Sequence, residues 1–152
     1  LSMTEGTLIE WLIEEGTEVN EGDDVTIVAL GRMVGMAEQA AEALSEEGIE
    51  CEIVDPRTTS PLDEETIYES VENTGRLVVV DESYPRCNMA TDICALVSQN
   101  CFDDLKAAPK MVTAPHTPPP FSPSLEDLFV PDSEKVAAAV REVTGSGVGS
   151  QA

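Results

Sequence analysis

RLVVVDESYPRCNMATDI (76–93) is the stretch that decides the fold. Its three consecutive valines leave no room for the apolar–polar alternation of a half-wet strand. Residues 76–81 therefore read as a central strand covered on both faces. Asp81 and Glu82 end that strand. The helix beyond it runs from about Asn88 to Cys101, with Ala90, Ile93, Cys94, Val97 and Cys101 along one side. KMVTA (110–114) reads as a further short strand. Strand, helix and strand in direct succession form the unit of a parallel sheet, because strands running the same way need a crossover between them.

The same rhythm extends toward the N-terminus. VTIVAL (25–30) is a β-branched apolar run ending at Gly31. Met33, Met36, Ala37, Ala40, Ala41 and Leu44 then recur at three- and four-residue steps, while Glu38, Glu42, Glu46 and Glu47 fall largely elsewhere on the wheel. This predicts an amphipathic helix closed by Gly48. In IECEIVD (49–55), Ile49, Cys51 and Ile53 alternate with Glu50 and Glu52, the pattern of a half-buried strand. Ser60-Pro61-Leu62-Asp63 reads as a helix start, with Ser60 as cap, Pro61 in the first position and Asp63 near the positive end of the dipole. Ile67 and Val71 supply its inner stripe and Gly75 its end. Ser133 is read as the cap of a last helix with Val136, Val140 and Val143 inward. The expected fold is an α/β three-layer sandwich, a mostly parallel sheet of about five strands with helices on both faces.

One connection breaks the rhythm. Between Ala114 and Asp132 stand Pro115, Pro118, Pro119, Pro120, Pro123 and Pro131. Prolines fix the backbone and remove donors, so this segment cannot join a central strand, but it can present an extended, pre-ordered surface. LEDLFVP (125–131) within it reads as one short turn of helix.

The composition narrows the function. A chain of 152 residues fits one domain with short appendages. It is 41% hydrophobic and only 4% aromatic, so its core must be aliphatic. Thirty acidic against eight basic residues give a net charge of −22. Such a charge repels phosphate backbones and anionic lipid, which excludes nucleic acid and membrane surfaces as partners. There is no long apolar run and no basic, hydrophobic leader, so the expected location is cytoplasmic. Acidity spread along a chain with three lysines resembles proteins of salt-loving organisms, where screening offsets self-repulsion. A plain acidic surface is the alternative.

Residues with chemical potential are few. His116 is the single histidine, which excludes a multi-histidine metal site. It either orients the proline-rich loop or pairs with Cys87 or a serine in nucleophilic chemistry. Cys87, Cys94 and Cys101 repeat every seven residues. On a helix that spacing sets neighbours about 10 Å apart along the axis, too far for a shared tetrahedral metal site, so they read as small buried hydrophobes. Arg57 and Arg86 each follow a strand, near where open α/β sheets bind ligands; salt bridges to local acids are the alternative. GRMVG (31–35) is neither GxGxxG nor a Walker loop. Asp81 and Glu82 form an acidic pair of the kind that performs acid–base work or holds a cation, and also of the kind that arises by chance among thirty acids.

DVTIVALGRMVGMAEQAAEAL, IVDPRTTSPLD, GRLVVVDE, PRCNMATDI and VTAPHTPPPFSPSLEDLFVP, in this order over about residues 24–144, resemble the C-terminal domain of the β subunit of thiamine-dependent acetoin and 2-oxoacid dehydrogenases, a transketolase C-terminal-like domain. PRCNMATDI and APHTPPPFSP look most like the acetoin branch; pyruvate-type relatives carry a glycine-rich stretch where RCNMA stands. The resemblance implies a parent reaction of oxidative cleavage or decarboxylation with acyl transfer to lipoamide. It places thiamine diphosphate and magnesium between the α subunit and the β subunit's N-terminal domain, with no cofactor and no turnover in this chain alone. It implies three partners: a dehydrogenase α subunit, a second β subunit, and the subunit-binding domain of the lipoyl acyltransferase. A homodimer is one expected state. Arg86, His116, Pro118, Pro119, Pro120 and Phe121 are the candidate interface residues. The other reading is a small-molecule-binding α/β domain using the strand ends near Gly31, Arg57 and Arg86.

LSMTEGTLIEWLIEEGTEVNEGD (1–23) resembles instead the opening of a lipoyl domain, with Thr7–Ile13 suited to a strand. A lipoyl domain carries its cofactor on a lysine, and none appears before Lys106. The expected organisation is a mobile lipoyl-like fragment at 1–23, the main domain at 24–144 and a disordered tail at 145–152.

Overall fold

The structure, a computed structural model, describes residues 22–145. Strands β1 (Val25–Ala29), β2 (Cys51–Val54), β3 (Leu77–Asp81) and β4 (Lys110–Thr113) form one sheet in the order β2-β1-β3-β4, every pair parallel. Helices α1 (Met33–Ser45), α2 (Glu64–Thr74) and α3 (Met89–Asn100) link successive strands, and α4 (Pro123–Phe129) and α5 (Ser133–Thr144) follow the last. The α/β sandwich is as expected, with four strands among the described residues where about five were anticipated. The other run read as a strand, Thr7–Ile13, lies outside the described residues, as do residues 1–21 of the lipoyl-like segment read over 1–23 and the tail beyond 145.

Every residue of β1 and β3 is buried, because each has strands on both sides and helices on both faces. Val25, Ile27, Ala29, Val78 and Val80 point to one face, where Met33, Ala37 and Leu44 of α1 and Val136 and Val140 of α5 cover them. Val28, Leu77 and Val79 point to the other, against Ile67 and Val71 of α2 and Ile93 and Val97 of α3. The alternation of side chains along a strand thus divides the valine run between two aliphatic cores. Thr26 is the polar exception at the centre. Fully buried, its hydroxyl lies 2.7 Å from that of Ser70 and 2.8 Å from that of Thr74, and Ser70 donates to Glu52 at 2.6 Å. The two helix hydroxyls stand four residues apart, one turn, so both reach the same strand position.

Two caps differ from expectation. Ser60 is exposed, is joined to Pro61 by a cis peptide bond, and belongs to a turn in which Thr59 bridges Leu62. The cap of α2 is Asp63, whose carboxylate accepts from the Thr66 backbone N–H at 3.2 Å and its hydroxyl at 2.8 Å. At α5 Asp132 accepts from the Lys135 N–H at 2.8 Å, and Ser133 is the first helical residue. In both cases a full negative charge at the positive end of the helix outweighs a neighbouring neutral hydroxyl. The helix expected from about Asn88 begins at Met89, with Asn88 as its cap in a reciprocal pair with Thr91. Arg76, between α2 and β3, closes the domain: its Nε donates to the Val143 carbonyl and its Nη1 to the Asp24 carbonyl, each at 3.1 Å.

Candidate functional site

The strand order reverses at β1. From β1 the chain passes through α1 to β2 on one side, then through α2 to β3 on the other, with α1 and α2 on opposite faces. The connections leaving the carboxyl ends of these strands diverge there, which opens a crevice. A cleft of about 830 Å³ occupies this position. Leu30 and Gly31 border it after β1, Asp55, Pro56, Arg57 and Thr59 after β2, and Asp81 with Ser83, Tyr84, Arg86, Cys87 and Asn88 at the end of β3.

Three residues singled out as strand-end candidates, Gly31, Arg57 and Arg86, are therefore brought together. Arg57 is engaged: its Nε lies 2.7 Å from the Asp55 carboxylate. Arg86 is exposed and, among the described residues, has no ion-pair partner. Asp81 is buried at the floor, 5% exposed, and its Oδ1 accepts the Ser83 backbone N–H at 2.9 Å. Glu82 is exposed and does not border the cleft. The acidic pair is thus split, because successive residues at a strand end face opposite ways.

The loop after β3 is braced from two sides. Asn88 donates from its amide to the Tyr84 carbonyl while its oxygen accepts from Thr91. Ala114 donates its N–H to the Ser83 carbonyl at 3.1 Å. Asp55, Tyr84 and Asn88 also border the cleft and were not marked from sequence. Their signal is positional, since each lies within a few residues of a strand's carboxyl end.

The cysteines behave unequally. Cys101 is buried, Cys94 and Cys51 are half-buried, and Cys87 is exposed in the loop before α3 with φ +53°. The reading of Cys87 as a small buried hydrophobe is therefore corrected: α3 begins only at Met89, so the seven-residue repeat does not extend to Cys87 on a helix. Burial raises the Cys94 thiol to about 11. Burial, then the charges of Asp23, Glu50 and Asp24, raises Cys51 to about 12. Cys101 is pushed up by burial and by Glu72 and Asp104.

His116 stands outside the cleft. Its ring meets Tyr84 edge to face, and no hydrogen bond joins it to Cys87 or a serine among the described residues. Pro118 and Pro119 are exposed, Pro120 half-buried, and Phe121 wholly exposed. Phe121, Leu125 and Leu128 together present large apolar side chains to solvent, and α4 buries none of its residues. Among the described residues no three acids, cysteines or histidines gather as metal ligands, and the Gly31 turn has no lysine–serine pair.

Residues 14–136 match the family described as Transketolase, C-terminal domain. The chain belongs to that family. This transketolase C-terminal domain is 59% identical over 133 residues to the acetoin:2,6-dichlorophenolindophenol oxidoreductase subunit beta of Cupriavidus necator, covering 88% of this chain and 39% of the relative. It is 53% identical over 125 residues to the subunit of the same name from Bacillus subtilis, covering 82% of this chain and 36% of that one. A solved structure described as a split gene transketolase, inactive beta4 tetramer, superposes with a TM-score of 0.69 at 29% identity, over 82% of this chain and 40% of the other. The chain thus spans about two fifths of the relatives it matches. The family match begins at residue 14, inside the segment read as lipoyl-like.

Proposed function

We propose that this chain is the C-terminal assembly domain of the β subunit of a thiamine-diphosphate-dependent acetoin dehydrogenase. In that reading it joins the dehydrogenase α subunit and a second β subunit, and docks the subunit-binding domain of the lipoyl acyltransferase. Thiamine diphosphate and magnesium belong to the parent complex, and the chain works through its surfaces. The observation that carries the proposal is the solvent-facing run Phe121, Leu125 and Leu128, beside a proline-rich loop with no place in the sheet. Large apolar side chains exposed this close together in sequence cost solvation unless a partner covers them. The identity to two acetoin oxidoreductase β subunits supports the acetoin branch over pyruvate and other 2-oxoacids.

Three further readings attach to this proposal. The lipoyl-like fragment is assigned to residues 1–23, the domain to 24–144 and a free tail to 145–152. The acidic surface is assigned to a high-salt cytoplasm. His116 is assigned the positioning of the proline-rich loop through Tyr84.

The test is light scattering after size exclusion in about 2 M KCl, where surface charge is screened, with and without an acyltransferase subunit-binding domain. A discrete dimer, or a shift to a defined complex, supports the proposal when Phe121→Ser with Leu128→Ser abolishes it without altering the melting curve. A monomer that ignores the acyltransferase fragment overturns it.

A further inference from the structure

The cleft at the ends of β1, β2 and β3 holds two charged groups, Asp81 and Arg86, whose bonding capacity the fold leaves partly open, and the inference does not rest on the apolar run of α4. The first is Asp81. It is 95% buried, yet only its Oδ1 has a partner, the Ser83 N–H. No buried side-chain oxygen among the described residues is left unsatisfied, so Oδ2 keeps contact with solvent, and Asp81 borders the cleft. Holding a carboxylate at the floor of a crevice is costly unless something there donates to it. The second is Arg86, which borders the same cleft with no ion-pair partner among the described residues, in a chain with thirty acids. Arg57 and Asp55 neutralise one another on the segment after β2.

We infer that this cleft binds a small zwitterion, an α-amino acid. The α-ammonium group donates to Asp81 Oδ2 and the α-carboxylate takes the fork of the Arg86 guanidinium. Both hydrogen bonds are charge-assisted, and the guanidinium matches a carboxylate in shape. The alternatives fare worse on charge. A polyanion meets Asp81 and Asp92 around the cleft and the field of a chain carrying −22. A simple cation leaves Arg86 unmatched. An α-hydroxy acid has the carboxylate and a donor but brings a net negative charge. The cleft volume of about 830 Å³ lies in the range that encloses small ligands and leaves room for a side chain beside Tyr84 and Met89.

Amide NMR of the 152-residue chain tests this, titrating glycine, L-alanine, L-serine, L-glutamate and L-lysine against L-lactate and L-malate. The expected result is a saturable shift confined to Gly31, Arg57 and Ser83–Asn88, with a dissociation constant of about 1 mM or tighter for at least one amino acid. Its hydroxy-acid counterpart binds more weakly. Asp81→Asn removes the preference for ammonium over hydroxyl, and Arg86→Gln weakens binding at least about tenfold, the scale of one lost charge-assisted pair. Arg86 is exposed, so the second variant keeps its fold even where the first does not. The inference is overturned by an absence of saturable shifts to about 20 mM of every amino acid, a range set by millimolar-scale affinity. It is equally overturned by tighter binding of the hydroxy acids, by shifts outside these residues, or by Arg86→Gln binding as well as the parent.

Discussion

The rings of Tyr84 and His116 meet edge to face, their centroids 6.0 Å apart and their planes at 80°. This contact links the loop that borders the cleft to the proline-rich segment that leads to α4. Edge-to-face pairs contribute about 0.5–1.5 kcal/mol beyond area burial, and this one belongs at the lower end because both residues are exposed. Tyr84→Leu and His116→Ala are each expected to lower stability by about 0.5–1 kcal/mol, and the double variant to lose less than the sum. A urea double-mutant cycle measures that coupling, and strict additivity would dismiss the contact.

Gly75 and Gly48 both have left-handed backbone, at φ +73° and +80°, but their surroundings differ. A Cβ at Gly75 meets Lys106 side-chain carbons at 2.8 Å and the Asp104 carbonyl at 2.9 Å, whereas one at Gly48 meets open space. Gly48→Ala is expected to cost about 1 kcal/mol, the left-handed penalty alone. Gly75→Ala adds a backbone collision and is expected to cost about 2–4 kcal/mol. Urea midpoints of the two variants decide, and equal losses would contradict the contact.

Asp132 is held below the usual aspartate range by the Lys135 backbone N–H first, and then by the Lys135 side chain. A depressed carboxylate stabilises the fold above its unfolded value, and that contribution disappears as the pH falls through the folded value. Asp132→Ala is therefore expected to lose about 1 kcal/mol at pH 7, the usual worth of such a cap. The difference from the parent should shrink progressively as the pH falls below the ordinary aspartate value. Melting curves of both proteins from pH 7 to pH 2.5 follow it, and a constant gap would disprove the assignment.

Cys87 is exposed, while the other three thiols are buried or half-buried and raised in pKa. A thiol reagent at pH 7.5 is expected to label Cys87 rapidly and the rest only after unfolding, since the thiolate is the reacting form. Peptide mapping of early and late label distinguishes the sites. Early label on Cys94 would contradict the packing of α3.

The net charge of −22 on this small domain makes self-repulsion a large term. The described ion pairs, Arg57–Asp55, Lys110–Glu142, Lys135–Asp132 and Arg141–Glu47, engage few of the acids. The melting temperature is expected to climb steeply with KCl up to about 1 M, where the Debye length falls to about 3 Å. A flat dependence would remove the high-salt reading.

The elements were legible because their signals are local. Three consecutive valines identify β3 as an inner strand, and the spacing of Ala37, Ala40 and Leu44 identifies α1. The caps were misread where two candidates stand close together, Ser60 three residues before Asp63 and Ser133 next to Asp132, because the choice depends on where the turn before the helix closes. Gly31, Arg57 and Arg86 could be marked as strand ends. That they share one cleft depends on β1 lying between β2 and β3, a long-range fact that no local pattern encodes. The same holds for the Thr26–Ser70–Thr74 cluster, in which Thr26 is distant in sequence from the two helix hydroxyls.

Arg76 has a consequence for how such a domain is carried. Its one guanidinium grips carbonyls at Asp24, just ahead of the first strand, and at Val143, in the last turn of the final helix. The two ends of the folded unit are therefore pinned at the same corner, as on a pendant with a single clasp. A module attached in this way can be spliced between, before or after other modules while leaving its remaining surface free to meet them.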